Sequence, residues 1–184
     1  MADMKFKFTI QPYQTEAVNG VVEVFSGQPF NDRFTYRRDV DIKDSIFMPD
    51  DELFMGFANS PVKLNPGQLL KNINSIQDRN NIKLADSIVS GGLGVCSLDV
   101  EMETGTGKTY VYIKTMFELN KQYGWSKFIV VVPSIAIREG VSKSFNIMQD
   151  HFMEYYGKKA RFFVYDSKNL SEIDNFSQSS DINV

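Results

Sequence analysis

The stretch Val100-Glu101-Met102-Glu103-Thr104-Gly105-Thr106-Gly107-Lys108-Thr109-Tyr110-Val111-Tyr112 decides how the whole chain reads. Gly105 and Gly107 tolerate positive φ and let a ligand approach the backbone closely. Successive N–H groups in such a loop converge on an anion at the positive end of the helix that follows. Lys108 adds a point charge suited to β- and γ-phosphates, and Thr109 adds a hydroxyl suited to Mg2+. Glu103, Thr104, Gly105, Thr106, Gly107, Lys108 and Thr109 are therefore the candidate nucleotide-binding residues. Lys108 and Thr109 carry the catalytic assignment, and Thr109 the metal assignment. The strict phosphate-loop pattern has glycine where this chain has Met102, so only its second half, G-x-G-K-T, matches. The plain alternative is a glycine turn that binds nothing.

Working outward, residues 95–100 form a short apolar run that reads as the strand leading into the loop, and residues 108–123 read as the helix leaving it. That helix is apolar on most of its surface, which predicts burial against a sheet. Phe128-Ile129-Val130-Val131-Val132 is a five-residue apolar run between Lys127 and Pro133, the pattern of a strand buried on both faces. Ile137, Val141, Phe145, Met148, Phe152 and Tyr155 then step at helical spacing, and residues 161–165 read as the next strand. Strand, helix, strand, helix, strand in sequence implies βαβ units and a parallel sheet. Residues 182–184 look like the start of a further strand.

Upstream, Lys5-Phe6-Lys7-Phe8-Thr9-Ile10 alternates at strand period, and Pro12 suits the first turn of a helix that continues with Ala17, Val21 and Phe25, widened by Val18 and Val22. Residues 26–66, with Pro29, Pro49, Pro61 and Pro66, read as an irregular insertion whose parts pack on the core or serve a function. Residues 67–79 read as a helix with Leu69, Leu70, Ile73 and Ile76 on one side.

Gln14, just before a helix, becomes informative only because a phosphate loop lies downstream. A carboxamide both donates and accepts, which suits an adenine edge. Pro133, Ser134 and Arg138 follow the apolar run at the end where open α/β sheets place ligand contacts. They suit a nucleic-acid phosphate, and the alternative for Ser134 is a helix N-cap. His151 has no metal-spaced partner and reads as a surface residue. Cys96 reads as a core filler, Asp50-Asp51-Glu52 as a solvated loop, and Lys158, Lys159 and Arg161 as a turn and strand start.

Composition narrows the class. Of 184 residues, 42% are hydrophobic and 23% charged, and 20 Lys plus Arg against 23 Asp plus Glu leave a net charge of -3. A disordered chain or a polycationic tail is excluded, while a local basic strip is not. A lone cysteine excludes an internal disulfide and a cysteine zinc site and fits a reducing cytoplasm. No apolar run reaches the ~18 residues of a membrane-spanning helix, and no secretory leader is expected.

Residues 100–112, together with Tyr123-Gly124-Trp125-Ser126-Lys127-Phe128-Ile129-Val130-Val131-Val132-Pro133-Ser134-Ile135-Ala136-Ile137-Arg138-Glu139-Gly140-Val141, resemble the Res subunit of type III restriction–modification enzymes. Methionine at the position of Met102 is usual in that family. The resemblance covers most of residues 4–156 and is most specific over 100–141. It implies an α/β fold: a RecA-like P-loop NTPase motor lobe of superfamily 2 helicase type, with a parallel sheet flanked by helices. It implies ATP and Mg2+ as cofactors, double-stranded DNA as the track, a modification (methyltransferase) subunit as partner, and a cytoplasmic protein with no membrane contact. Residue by residue, Gln14 resembles the adenine-reading glutamine, residues 104–109 the first helicase motif, and Pro133, Ser134 and Arg138 the motif that grips the DNA backbone.

The same resemblance sets an expectation of extent. Residues 1–184 form a partial first motor lobe, incomplete at the C-terminus. Residues 4–25 are the glutamine-motif strand and helix, 26–66 the insertion and 67–184 the P-loop core. The acidic D-E-x-H-type motif, the second lobe and the nuclease domain lie outside it, so nucleotide binding with little or no hydrolysis is expected of these residues alone. Two other classes are a non-catalytic nucleotide- or DNA-binding module and an unrelated P-loop NTPase such as a small kinase.

Overall fold

A computed structural model describes residues 8–37, 55–92, 94–167 and 171–184. Helix α1 (Pro12–Glu23) starts with proline, whose missing N–H is an orphan position anyway. Strands β1 (Thr35–Arg37) and β2 (Met55–Phe57) pair antiparallel, Thr35 opposite Phe57. Helix α2 (Pro66–Arg79) opens with a capping box in which Asn65 and Gln68 each bond the other's backbone N–H. Helix α3 (Lys108–Tyr123), helix α4 (Ile135–Tyr156), strand β3 (Ala160–Arg161), helix α5 (Ser171–Gln178) and strand β4 (Ile182–Asn183) complete the chain. None of the described helices is long and apolar enough to cross a membrane.

Helix α3 is the post around which the rest packs. One flank carries Val111 and Tyr123, which with Trp125 cover Val18 and Val22 of α1. The other carries Tyr110, Ile113, Met116 and Phe117, which meet Phe145 and Phe152 of α4 and then Ala160 and Ile182 of the small sheet. The sequence reading placed α3 against a sheet. Helices cover its flanks here, and the sheet supplies only part of the contact. Gly124 ends α3 in the left-handed region at φ 80, where a Cβ would lie 2.5 Å from the Asn31 carbonyl carbon. That is a close backbone approach which only glycine accommodates.

The α1 face is centred on Gln14, Val18 and Val22, with Ala17 and Phe25 packed beside it. On α4 the inward stripe is Val141, Phe145, Met148 and Phe152 and finishes on Tyr156, while Ile137 and Tyr155 are exposed. A spacing of 3.6 residues per turn carries a stripe to Tyr156 as readily as to Tyr155.

The sheet departs further from the reading. β3 and β4 are parallel, with Ala160 opposite Ile182, and Lys127 forms a parallel bridge to Asn183. The last segment thus lies between residues 126–128 and β3, joined by the bonds Phe128 N–H to Asn183 O and Val184 N–H to Arg161 O. A parallel arrangement is present, but it is short. Residues 128–132 are not a buried strand: Phe128 and Val130 pack inward while Ile129 and Val131 are 83% and 87% exposed. A run of apolar residues does not reveal its own alternation, and a ladder forms only where a neighbour offers partners; β4 offers two residues. Residues 95–100 are likewise not a strand, and Ser97 donates instead to Val89 O. β3 stops at Arg161 rather than 165. Residues 8–10 are not strand, while residues 5–7 and Asp50-Asp51-Glu52 lie outside the described residues. Helix α5 forms in a mostly polar stretch, and Phe176, facing Phe163 edge-on at 6.0 Å, is its anchor.

Part of the insertion is stitched to the core, as expected. Gln28 donates to Pro61 O and accepts from Lys63 N–H. Asn59 accepts from the N–H groups of Ser126 and Lys127 and donates to Lys127 O. The Trp125 indole donates to Ser60.

Phe152 is 2% exposed and stacks on Phe117 at 4.8 Å, so Phe152→Ala is expected to cost about 3–5 kcal/mol in urea unfolding. Ile129→Ser is expected to stay within about 0.5 kcal/mol of the parent. A large loss in the second variant would restore the buried strand at 128–132.

Candidate nucleotide site

The loop takes the shape its glycines permit. Gly105 has φ 84 and Gly107 has φ 89. Between them Thr106 folds back, its hydroxyl donating to Glu103 O at 2.6 Å. Gly107 then accepts from Val111 N–H at 3.0 Å, which closes the first turn of α3. The first N–H groups of α3 have no partner inside the helix, and its macrodipole adds partial positive charge there. Lys108 is exposed and makes no hydrogen bond or ion pair with another described residue. Thr109 is half-buried, and Glu103 and Thr104 are exposed at the mouth. No group of three or more His, Cys, Asp or Glu suited to a metal occurs among the described residues.

Gln14 reaches this loop from 92 residues away. It is 9% exposed, and its Nε2 donates to Thr106 O at 2.9 Å. The Tyr13 hydroxyl donates to the same carbonyl at 3.2 Å. Nε2 lies so near Gly107 that a Cβ there would come within 2.5 Å of it. Gly107 is thus needed twice, for its backbone and for the space Gln14 occupies. Met102, the departure from the strict loop pattern, packs against the Val18–Val22 cluster. A side chain at that position secures the loop to α1. A cavity of about 820 Å³ runs from Tyr13, Glu103 and Thr106 between α1 and α2, with Val21, Ile76 and Val100 among its walls.

Pro133, Ser134 and Arg138 lie at the start of α4. Ser134 is the N-cap, its hydroxyl accepting from Ile137 N–H at 3.3 Å. Arg138 pairs with the adjacent Glu139 at 3.1 Å. Among the described residues no hydrogen bond joins this group to the loop. Cys96 is half-buried outside any strand, and burial raises its thiol pKa.

Two residues differ from their sequence reading or escaped it. His151 is not a free surface group. Its Nε2 lies 3.2 Å from the Tyr110 hydroxyl, and its ring meets Phe8 and Phe152 at 5.1 and 5.2 Å. Burial holds its pKa below the usual range, opposed by Glu154 and aided by Lys114. Lys114, on α3, is 5% exposed. Its ammonium donates to the Thr15 hydroxyl at 3.4 Å and lies 5.8 and 6.0 Å from the Tyr155 and Tyr110 rings. Burial lowers its pKa, and the Glu118 carboxylate partly restores it. A lysine inside an amphipathic helix carries no mark of burial in the sequence.

Left-handed glycines at the head of a buried helix, with a glutamine laid on the loop, have the shape of a phosphate loop, and the family match that follows implies a helicase-like P-loop fold. The chain belongs to the family of the type III restriction enzyme, res subunit, whose model matches residues 7–184. It is 31% identical over 166 residues to the type III restriction-modification enzyme EcoP15I Res subunit of Escherichia coli, covering 88% of this chain and 15% of that protein. It is 30% identical over 159 residues to the EcoPI Res subunit of Escherichia phage P1, covering 85% and 14%. A stretch of 62 residues is 48% identical to the StyLTI Res subunit of Salmonella typhimurium, covering 33% and 6%. The chain thus spans about 15% of the length of the first of these curated relatives.

Gly105→Ala has open space for its methyl group and is expected to cost about 1–2 kcal/mol for the left-handed backbone alone. Gly107→Ala is expected to cost about 0.5–1.5 kcal/mol more, the worth of the Gln14 hydrogen bond it displaces. That surplus should vanish in a Gln14→Ala background. Equal losses from both glycines, measured by chemical denaturation, would remove Gln14 from the loop.

Proposed function

We propose that this chain is the ATP-binding part of an ATP-dependent DNA translocase, the Res subunit of a type III restriction–modification enzyme. The observation that carries the reading is Lys108, without a partner among the described residues, at the head of a buried helix beside two left-handed glycines, with the Gln14 carboxamide on the adjoining Thr106 carbonyl. The backbone of residues 104–107 and the first turn of α3 would cradle the phosphates, with Lys108 on the β- and γ-phosphates. Glu103 and Thr104 border the mouth. The Gln14 Nε2 is held by Thr106 O, which leaves its Oε1 to accept from the exocyclic amine of adenine.

Thr109, through its hydroxyl, is the residue here that would hold Mg2+ beside a bound nucleotide, and one protein ligand is enough for a metal that keeps few of them. When bound it neutralises phosphate charge. The residues described here hold and orient the nucleotide, and we attach binding rather than turnover to them.

The fold reading that accompanies this is a RecA-like first motor lobe over residues 1–184, with its glutamine segment at 4–25, an insertion at 26–66 and its P-loop core at 67–184. Pro133, Ser134, the amides it caps, and Arg138 would meet the backbone of double-stranded DNA. A modification (methyltransferase) subunit is the proposed partner, and the cytoplasm the proposed location.

Calorimetric titration of Mg-ATP into the purified chain, beside Lys108→Ala, tests the proposal. Saturable binding that weakens at least about tenfold in the variant, the scale of a lost charge-assisted contact, is the expected result. Equal binding by both proteins, or none by the folded parent, would overturn it.

A further inference from the structure

Lys114 is the one described lysine classed as buried. Among the described residues no carboxylate lies within ion-pair distance of it. Burying an unpaired ammonium is costly, and an apolar side chain of similar length avoids that cost. The only hydrogen bond it makes with a described residue is to Thr15, and the Tyr110 and Tyr155 rings give the charge a weaker, non-directional hold.

Thr15 is the neighbour of Gln14 in the first turn of α1. That turn has little support of its own. Its N-cap, Gln11, makes no side-chain cap bond, and no acidic residue lies in the turn. The Thr15 hydroxyl donates back to Gln11 O at 3.4 Å, the same distance at which it accepts from Lys114. What places the turn is therefore lateral: Tyr13 and Gln14 on Thr106 O, and Lys114 on Thr15. The last of these comes from the same helix whose first residues carry Lys108 and Thr109.

We infer that Lys114 is a positioning residue of the nucleotide site: through Thr15 its ammonium fixes the first turn of α1 so that the Gln14 carboxamide lies on the Thr106 carbonyl beside Gly107. The placement itself stands on the geometry. Its consequence for nucleotide choice rests on the function proposed above.

The test uses the full chain with Lys114→Met, which removes the ammonium alone, and Thr15→Val, which keeps the shape but removes both the acceptor for Lys114 and the donor to Gln11 O, with Gln14→Ala as reference. The first readout needs no nucleotide. In the parent, the Gln14 side-chain amide signals in a ¹H–¹⁵N spectrum are expected away from the free-carboxamide position. In Thr15→Val and Lys114→Met they move toward it, while the backbone signals of α4 stay. A merely space-filling lysine would lower the melting temperature without moving the Gln14 signals. The second readout is the preference for Mg-ATP over Mg-GTP, expected to fall about three- to tenfold in both variants, the scale of one hydrogen bond. Unmoved Gln14 signals in Lys114→Met or in Thr15→Val overturn the inference, and Lys114→Leu takes the place of Lys114→Met if that variant does not fold. An unchanged preference in Gln14→Ala, or no nucleotide binding by the parent, would sink the adenine reading and leave the Gln14 signals to judge Lys114.

Discussion

Helix α3 has to bury both of its flanks, and the remainder of the chain is arranged to cover it. Tyr110, Val111, Ile113, Met116, Phe117 and Tyr123 point in nearly every direction around the axis. No single surface could cover them. Helix α1 takes one flank through Val18 and Val22, and α4 takes the other through Phe145 and Phe152. A helix held on two sides cannot shift along its axis without disturbing both interfaces. The glycine loop at its head is therefore presented in a fixed place on a rigid support.

The residues that build this support are also those that shape the site. Met102 leaves the loop and enters the α1 cluster. Gln14 belongs to the buried face of α1 and ends on the loop carbonyl of Thr106. Tyr110 follows Thr109 directly, stacks on Phe152 and meets His151. The core and the loop share side chains here, so a substitution in the α1–α3–α4 core reaches the loop through one or two contacts.

Helices were legible in the sequence where local chemistry marks their ends. Gly107 and Gly124 bracket α3, and Pro12 opens α1. Helix α2 was read from its apolar side at 67–79, while Pro66, assigned to the insertion, is its first residue and the Asn65–Gln68 box before it went unread. The loop was legible for the same reason, since its glycines have a conformational meaning independent of the fold. Strands were not. Residues 95–100 and 128–132 have strand composition, but a strand exists only through a neighbour, and composition does not say whether one is there. The burial of Lys114 and the His151–Tyr110 contact depend on α1, α3 and α4 coming together, with Thr15 lying 99 residues from Lys114. No local pattern records that meeting. The contact of Gln14 with the loop could be anticipated only because the loop downstream gave it a context.

The central claim is that the loop of residues 103–109, fixed by α3 and roofed by Gln14, is where this Res-family chain holds a nucleotide. The most direct measurement is a ¹H–¹⁵N chemical-shift map of the folded chain titrated with a Mg-bound, non-hydrolysable ATP analogue. The account predicts the largest shifts at the backbone amides of Gly105, Gly107, Lys108 and Thr109 and at the Gln14 side chain, with residues 158–161 unmoved. Shifts centred away from the loop, or none at saturating analogue, would contradict it.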